Sequence, residues 1–287
     1  MLSPWLELPG ADELIASWSE AIGLDLARLG TTATAEEITD TAITQPLVVA
    51  ATLLAHQELT KRGLLAGADL VVAGHSVGEI AAYAIAGVLG ADDAVRLAAT
   101  RGSEMAKACA VEPTGMAAVL GGDEAEVLAR LDELDLVPAN RNAAGQIVAA
   151  GAVSALDKLV EDPPAKARVR KLATAGAFHT HFMASALDGY SAAADAVTTG
   201  APTASLLSNA DGQPVTSADD AMAKLVAQLT KPVRWDLCTE TMRQREVAAI
   251  VEFPPAGTLV GIAKRELRGV PTYAVKTPAD LDGLSEL

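Results

Sequence analysis

The feature that most constrains the fold is a short apolar run that leads through a glycine-flanked serine into a helix. Residues 69–73 carry a Leu-Val-Val segment typical of a buried strand, and residues 79–89 have the apolar content of a helix. Between them, residues 74–78 read Gly-His-Ser-Val-Gly. A serine on such a strand-to-helix turn projects its hydroxyl into a cleft. The sequence therefore predicts an α/β fold with a nucleophile at Ser76.

The glycines of this turn predict a sharp bend with a strained backbone at Ser76. The following helix N-terminus would place positive partial charge beside an oxyanion. A glycine-rich turn with an incidental serine is the simpler alternative, but the strand and helix around it favour the catalytic interpretation. A phosphate loop is excluded because neither Gly-x-Gly-x-x-Gly nor a lysine-bearing loop is present.

The rest of the chain predicts two structural units. Apolar spacing indicates helices over 14–26, 45–62 and 92–110, with Asp92 and Asp93 as caps of the last one. Residues 113–175 show the order βαββαβ of a ferredoxin-like subdomain. We predict that this subdomain is inserted into a hydrolase-like α/β core, formed by residues 1–112 and 176–287, whose parallel sheet is flanked by helices. A late strand is expected over residues 248–253.

Composition excludes several classes of function. A net charge of −15 and aromatic residues at only 3% argue against nucleic-acid binding. The two cysteines suggest neither a disulfide framework nor a metal site. The longest apolar run, residues 80–91, is too short to span a bilayer, and no signal peptide is evident. We therefore expect a cytoplasmic protein that does not act at a membrane and binds no metal.

A serine nucleophile needs a base, and histidine is best suited to neutral pH. The chain has four histidines. His75 is next to Ser76 in the turn and is poorly placed to reach its hydroxyl, and His56 lies inside a predicted helix. His179 and His181 remain, at the point where the chain returns to the core. The pattern alone does not choose between them.

Taken together, these residues resemble the malonyl-CoA:acyl carrier protein transacylases and the related acyltransferase domains of polyketide synthases. The resemblance runs through nearly the whole chain. The segments that carry it are residues 74–79 (Gly-His-Ser-Val-Gly-Glu), Arg101-Gly102, 140–146, Ala177-Phe178-His179, Ser208-Asn209 and 228–235.

The resemblance implies a mechanism. Ser76 would attack the thioester of malonyl-CoA, with His179 as general base and then acid, and the malonyl ester would pass to the pantetheine thiol of acyl carrier protein. The backbone carbonyl of Gln228 would orient the histidine, and Val77 N–H would serve the oxyanion. The product would feed fatty-acid or polyketide synthesis. Coenzyme A would enter as part of the substrate, and no bound cofactor is implied.

The resemblance also implies a pocket for the malonyl group. Arg101 would hold its carboxylate with two parallel hydrogen bonds. Phe178 and Val77 resemble the residues found at these positions in the malonyl-selective members of the family. The other pocket residues implied are His75, Asn142 and Asn209.

One departure from the family pattern concerns the first residues. The family has a short strand and a glutamine-containing loop that supplies a second oxyanion donor, and Met1 to Trp5 resembles the family's segment directly after that loop. We expect a misplaced start or a truncated sequence to explain this. Two alternative functions stay open at this point: a serine thioesterase or hydrolase, and an inactive module that binds carrier protein.

Overall fold

The computed structural model of the chain describes residues 1–285 and 287. It is an α/β fold of helices, short parallel strand pairs and one small antiparallel sheet. The α-helices of the described residues are α1 (Ala11–Ile22), α2 (Leu26–Thr31), α3 (Thr41–Lys61), α4 (Gly78–Ile85), α5 (Ala91–Cys109), α6 (Glu124–Glu133), α7 (Val153–Glu161), α8 (Leu187–Asp195), α9 (Ala218–Ala227), α10 (Trp235–Gln244) and α11 (Thr258–Glu266). The strands are β1 (Val71–Val72), β2 (Thr114–Gly121), β3 (Val137–Ala143), β4 (Gln146–Ala152), β5 (Ala167–Lys171), β6 (Ser205–Leu206), β7 (Ile250–Glu252) and β8 (Thr272–Ala274).

Two parallel strands bring distant segments to the serine turn. β1 pairs with β6, with Val71 opposite Ser205 and Val72 opposite Leu206. Parallel strands end at the same edge of a sheet, so the residues that come after each strand lie side by side. The turn that carries Ser76 therefore lies next to Asn209. β7 and β8 form a second parallel pair, and β7 confirms the predicted late strand.

The small sheet has the strand order β3-β4-β2-β5 and is antiparallel throughout. Its elements follow the predicted order βαββαβ. One face packs against α6 and α7 through residues such as Leu131 and Leu156. The other face, which includes Met116 and Ala150, packs against Ala177 and the ring of Phe178. The second face therefore supports the segment that carries His179.

The main core depends on a close crossing of α3 and α5. A Cβ atom at Gly102, in α5, would lie 2.5 Å from the carbonyl oxygen of Thr41 at the start of α3. Only glycine allows the two backbones to approach this closely. The crossing places Arg101 beside Gln45, which lies one turn after Thr41 on α3.

Some expectations about local structure were wrong. Helix α5 begins after Gly90, which makes no side-chain cap, so Asp92 and Asp93 lie inside the first turn instead of capping it. Asp92 accepts a hydrogen bond from Trp18 Nε1 at 2.8 Å, and Asp93 pairs with Arg96. Helix α10 was not predicted, because its many charged and polar residues hide the apolar face that it buries.

The described residues contain no candidate membrane-spanning helix and no candidate metal-binding cluster. None of the helices combines the length and the apolar character needed to cross a lipid bilayer. No group of three or more histidine, cysteine, aspartate or glutamate side chains is placed to hold a metal ion.

The close crossing at Gly102 makes a prediction about stability. We expect Gly102→Ala to lower the free energy of unfolding by about 1–3 kcal/mol, because the new methyl group must push α5 away from the carbonyl of Thr41. Gly261→Ala in α11 is the matched control, since a Cβ atom there meets nothing within 4 Å. It should be neutral or stabilise by up to about 1 kcal/mol, since alanine favours helix more than glycine does. Urea denaturation measures both, and equal effects would contradict the prediction.

Candidate active site

The serine turn is built around one glycine that the backbone requires. A Cβ atom at Gly74 would overlap the carbonyl of Gly78, so no other residue fits there. At Gly78 a Cβ atom would meet nothing within 4 Å, so this second glycine is not needed for close packing. Ser76 has a φ of 53°, in the left-handed region that residues other than glycine rarely adopt. The turn therefore holds the serine in a strained conformation at the start of α4.

His179 lies within hydrogen-bonding distance of the serine. Its Nε2 is 2.8 Å from Ser76 Oγ, and its Nδ1 is 2.8 Å from the backbone oxygen of Gln228. A carbonyl only accepts, so Nδ1 carries the proton and Nε2 is free to accept from the serine hydroxyl. His179 also has a left-handed φ, of 62°. His181 is exposed and begins a 3-10 helix (His181–Ala186), so the structure brings His179 and not His181 to the serine.

Burial keeps the imidazole of His179 neutral. The side chain is 2% exposed, and this desolvation is the main cause that lowers its pKa to about 3. The positive charge of Arg101 lowers the pKa further, whereas the hydrogen bond to the carbonyl of Gln228 opposes the shift. A neutral imidazole can accept a proton from a serine hydroxyl, so this histidine is in the form that a general base needs.

Asn209 and Glu79 hold the turn from its buried side. Asn209 Oδ1 accepts from Ser76 N–H at 2.8 Å, and Asn209 Nδ2 donates to the carbonyl of Gly74 at 2.7 Å. Glu79 Oε1 accepts from Asn209 N–H at 2.7 Å. The side chain of Asn209 thus holds the backbone of the serine turn and not the serine hydroxyl. The sequence interpretation assigned Glu79 no role at the site, although a glutamate directly after the serine turn was a signal.

Arg101 reaches the serine from α5. Its NH2 group is 3.4 Å from Ser76 Oγ and donates to Gln228 Oε1 at 2.8 Å. Its NH1 group donates to Gln45 Oε1 at 2.6 Å. The sequence interpretation missed Gln45; the available signal was a polar residue on the apolar face of α3.

The remaining predicted residues border the site from other elements. His75 Nε2 donates to Asn142 Oδ1 at 2.8 Å, which links the serine turn to β3 of the small sheet. The ring of His75 also meets the edge of Trp235, with centroids 5.6 Å apart. Phe178 is half-buried between the main core and the small sheet. Val77 precedes α4, and its N–H has no acceptor among the described residues, so it is free to donate to an oxyanion.

This geometry defines a class of chemistry. A serine hydroxyl, a neutral histidine, a free N–H at a helix N-terminus and a buried guanidinium converge on one point. The first three are the groups that the formation and breakdown of a covalent serine ester require. A buried guanidinium is chemically suited to an acyl group that carries negative charge. The geometry is therefore that expected of an enzyme that transfers acyl groups.

Comparisons with known proteins place the chain in a family. Residues 11–279 match the model of the acyl transferase domain. The chain is 81% identical over 291 aligned residues to the malonyl CoA-acyl carrier protein transacylase of Mycolicibacterium smegmatis, with all of both chains covered. It is 32% identical to the Escherichia coli protein of the same name, covering 97% of this chain and 92% of that one. The crystal structure of MCAT from Mycobacterium tuberculosis superimposes with a TM-score of 0.97 at 76% identity, covering 99% of this chain and 94% of that one. The chain belongs to the acyl transferase domain family.

The pKa of His179 gives a test by NMR. In the folded protein we expect the imidazole to stay neutral between about pH 8 and pH 5, because burial and Arg101 move its pKa far below the ordinary value of about 6.5. The resonance is assigned by its loss in His179→Gln. In urea the same histidine should titrate near its ordinary value, which serves as the control. A midpoint near 6.5 in the folded state would contradict the environment described above.

Proposed function

We propose that this acyltransferase moves a malonyl group from malonyl-CoA to the phosphopantetheine thiol of acyl carrier protein. The single observation that carries the proposal is the buried guanidinium of Arg101, whose NH2 group is 3.4 Å from Ser76 Oγ. A malonyl thioester has a carboxylate on the far side of the carbonyl that the serine attacks. A cation next to the nucleophile can therefore bind this carboxylate while the serine attacks the carbonyl.

In the first half of the reaction, His179 Nε2 accepts the proton of Ser76 while Oγ attacks the thioester carbonyl. Val77 N–H donates to the oxyanion of the tetrahedral intermediate. When the intermediate collapses, the carbon–sulfur bond breaks, and the imidazolium returns its proton to the coenzyme A thiolate. The products are free coenzyme A and a malonyl ester on Ser76.

The second half reverses these roles. The pantetheine thiol gives its proton to His179 and attacks the ester carbonyl. The carbon–oxygen bond then breaks, and Ser76 regains a proton from the imidazolium. The histidine needs no carboxylate partner, because the carbonyl of Gln228 holds Nδ1–H in place throughout. The cycle uses no bound cofactor.

The names of the relatives support the proposed substrates. The proteins from M. smegmatis and E. coli are named malonyl CoA-acyl carrier protein transacylases. A malonyl transacylase in complex with a type II PKS acyl carrier protein has a TM-score of 0.93 and 28% identity to this chain, covering all of this chain and 94% of that one. Nothing in the site favours a hydrolase or an inactive binding module.

We further propose that the fold consists of a hydrolase-like core, residues 1–112 and 176–287, with an inserted ferredoxin-like subdomain, residues 113–175. The strand order β3-β4-β2-β5 supports the ferredoxin-like assignment. In such a βαββαβ unit the first and third strands are the central ones, and here these are β2 and β4. The subdomain would form one wall of the site through Asn142 and through its contact with Phe178.

Incubation of the protein with radiolabelled malonyl-CoA tests the reaction. Label should accumulate on Ser76, remain stable in buffer, and move to holo acyl carrier protein when that is added. Ser76→Ala should take up no label. Release of free malonate in the presence of carrier protein would indicate a hydrolase, and the absence of label would indicate a binding module. Either result would overturn the proposal.

The proposed role of Arg101 predicts a change in selectivity. We expect Arg101→Ala to lower the kcat/KM for malonyl-CoA roughly 10- to 100-fold, because charge-assisted hydrogen bonds to the carboxylate are lost. Its activity relative to wild type should fall less with acetyl-CoA, which has no carboxylate. Arg96→Ala is the matched control, because Arg96 lies on the same helix and pairs with Asp93 at the surface. An unchanged ratio of malonyl to acetyl activity in Arg101→Ala would contradict the assignment.

A further inference from the structure

Arg101 is buried without a negative partner. Its side chain is 1% exposed, and no carboxylate of the described residues forms an ion pair with it. Its Nε has no hydrogen-bond partner among those residues. The guanidinium contacts two amide oxygens and the hydroxyl of Ser76. An uncompensated buried charge is unfavourable, so an arrangement that maintains one needs an explanation.

The two amides are neutral acceptors, and their orientation is determined by their own partners. Gln45 Nε2 donates to Thr41 Oγ1 at 2.7 Å, which leaves Oε1 facing Arg101. Gln228 Nε2 donates to Glu79 Oε2 and faces the backbone oxygen of Ser76 at 3.3 Å. If the amide of Gln228 were reversed, its oxygen would face the oxygen of Glu79 and its N–H group would face the N–H group of Arg101.

Glu79 must accept on both of its oxygens to fix this arrangement. Oε1 accepts from Asn209 N–H, and Oε2 accepts from Gln228 Nε2. The side chain of Gln228 separates the carboxylate of Glu79 from the guanidinium of Arg101, and no direct ion pair forms between them. Glu79 therefore orients the arginine through an amide without neutralising it.

The number of remaining donors fits a carboxylate. The two terminal nitrogens of a guanidinium carry four N–H bonds. Gln45 and Gln228 each take one of them. A third faces Ser76 Oγ at the long distance of 3.4 Å, and the fourth has no acceptor among the described residues. A bidentate carboxylate can therefore bind here by replacing the long contact to the serine.

We propose that Gln45 and Glu79 are positioning residues for substrate selection. Gln45 acts directly, and Glu79 acts through the side chain of Gln228. Together they hold the guanidinium of Arg101 beside Ser76 and leave its positive charge for the carboxylate of the substrate. This inference rests on the proposed function and names two residues that decide the preference of the site for carboxylated over neutral acyl groups.

Gln45→Glu is the informative variant. It keeps the size of the side chain and an oxygen that faces Arg101, and the hydroxyl of Thr41 can turn to donate, so no polar group is left unpaired. The introduced carboxylate would pair with Arg101 and cancel its charge. We expect the malonyl to acetyl ratio of kcat/KM for Ser76 acylation to fall roughly 10- to 100-fold. The change should appear mainly as a higher KM for malonyl-CoA, because the lost interaction is present before the chemical step.

Gln57→Glu is the matched control, because Gln57 is exposed on the same helix and the substitution is the same. Its ratio should equal that of the wild type. Gln45→Met removes the acceptor at similar volume and should lower the ratio without adding charge. If Gln45→Glu does not fold by circular dichroism, the Gln45→Met ratio decides the question.

The outcomes separate this inference from the proposed function. If the wild-type protein is not acylated by malonyl-CoA, the proposed function itself fails. If the wild type prefers malonyl-CoA but the Gln45 variants keep the same ratio, only the positioning role is overturned. Equal losses with both substrates, which a merely structural role would cause, also overturn it.

Glu79→Gln tests the second positioning residue. An amide cannot accept from both Asn209 N–H and Gln228 Nε2, so one of these hydrogen bonds must be lost. We expect the side chain of Gln228 to lose its fixed orientation and the malonyl to acetyl ratio to fall. A folded Glu79→Gln protein with the wild-type ratio would remove Glu79 from the proposal.

Discussion

The hydrogen bond between Ser76 Oγ and His179 Nε2 requires two residues, 103 positions apart in the chain, to adopt backbone conformations that neither favours. Each left-handed residue costs on the order of 1–3 kcal/mol, so the surrounding structure must compensate. At the serine, Asn209 ties both the N–H of residue 76 and the carbonyl of Gly74. At the histidine, the carbonyl of Gln228 fixes the ring. The dyad is thus maintained by amide groups of residues that carry out no chemistry themselves.

Gln228 connects the two halves of the site. Its backbone oxygen sets the tautomer of His179, and its side chain contacts both Arg101 and Glu79. The base and the cation are therefore positioned by one residue. Burial, and to a lesser extent the charge of Arg101, lowers the pKa of the histidine and keeps the base neutral close to a positive charge. Burial has the opposite effect on the acid and raises the pKa of Glu79 to about 7. Because the buried histidine stays neutral, the formal positive charge beside Ser76 Oγ is that of the Arg101 guanidinium.

Much of the fold could be predicted from local pattern. The order βαββαβ was readable because each element of the small sheet has its own clear periodicity and turn residues. The serine turn could be predicted because a side chain at position 74 would clash with the backbone of Gly78, so the turn requires a glycine that appears in the sequence motif. Helix α10 was not, because it buries only a few of its side chains, among them Trp235 and Cys238, behind many polar ones. The supposed caps of α5 failed for a related reason: Asp92 is engaged by Trp18, a residue 74 positions away.

The sequence by itself predicted a nucleophile at Ser76, a histidine as its base and the resemblance to acyl-transferring enzymes, since these depend on residue types at short spacing. The residue pattern left His179 and His181 open, and the resemblance implied His179. The tertiary structure places His179 Nε2 2.8 Å from Ser76 Oγ, because the two histidines lie in the same loop and differ in where the backbone points them. It also decided that Gln45 and Glu79 belong to the site. Their contacts form across 56 and 149 positions of the chain, and hydrogen bonds between such distant residues exist only once the helices have packed.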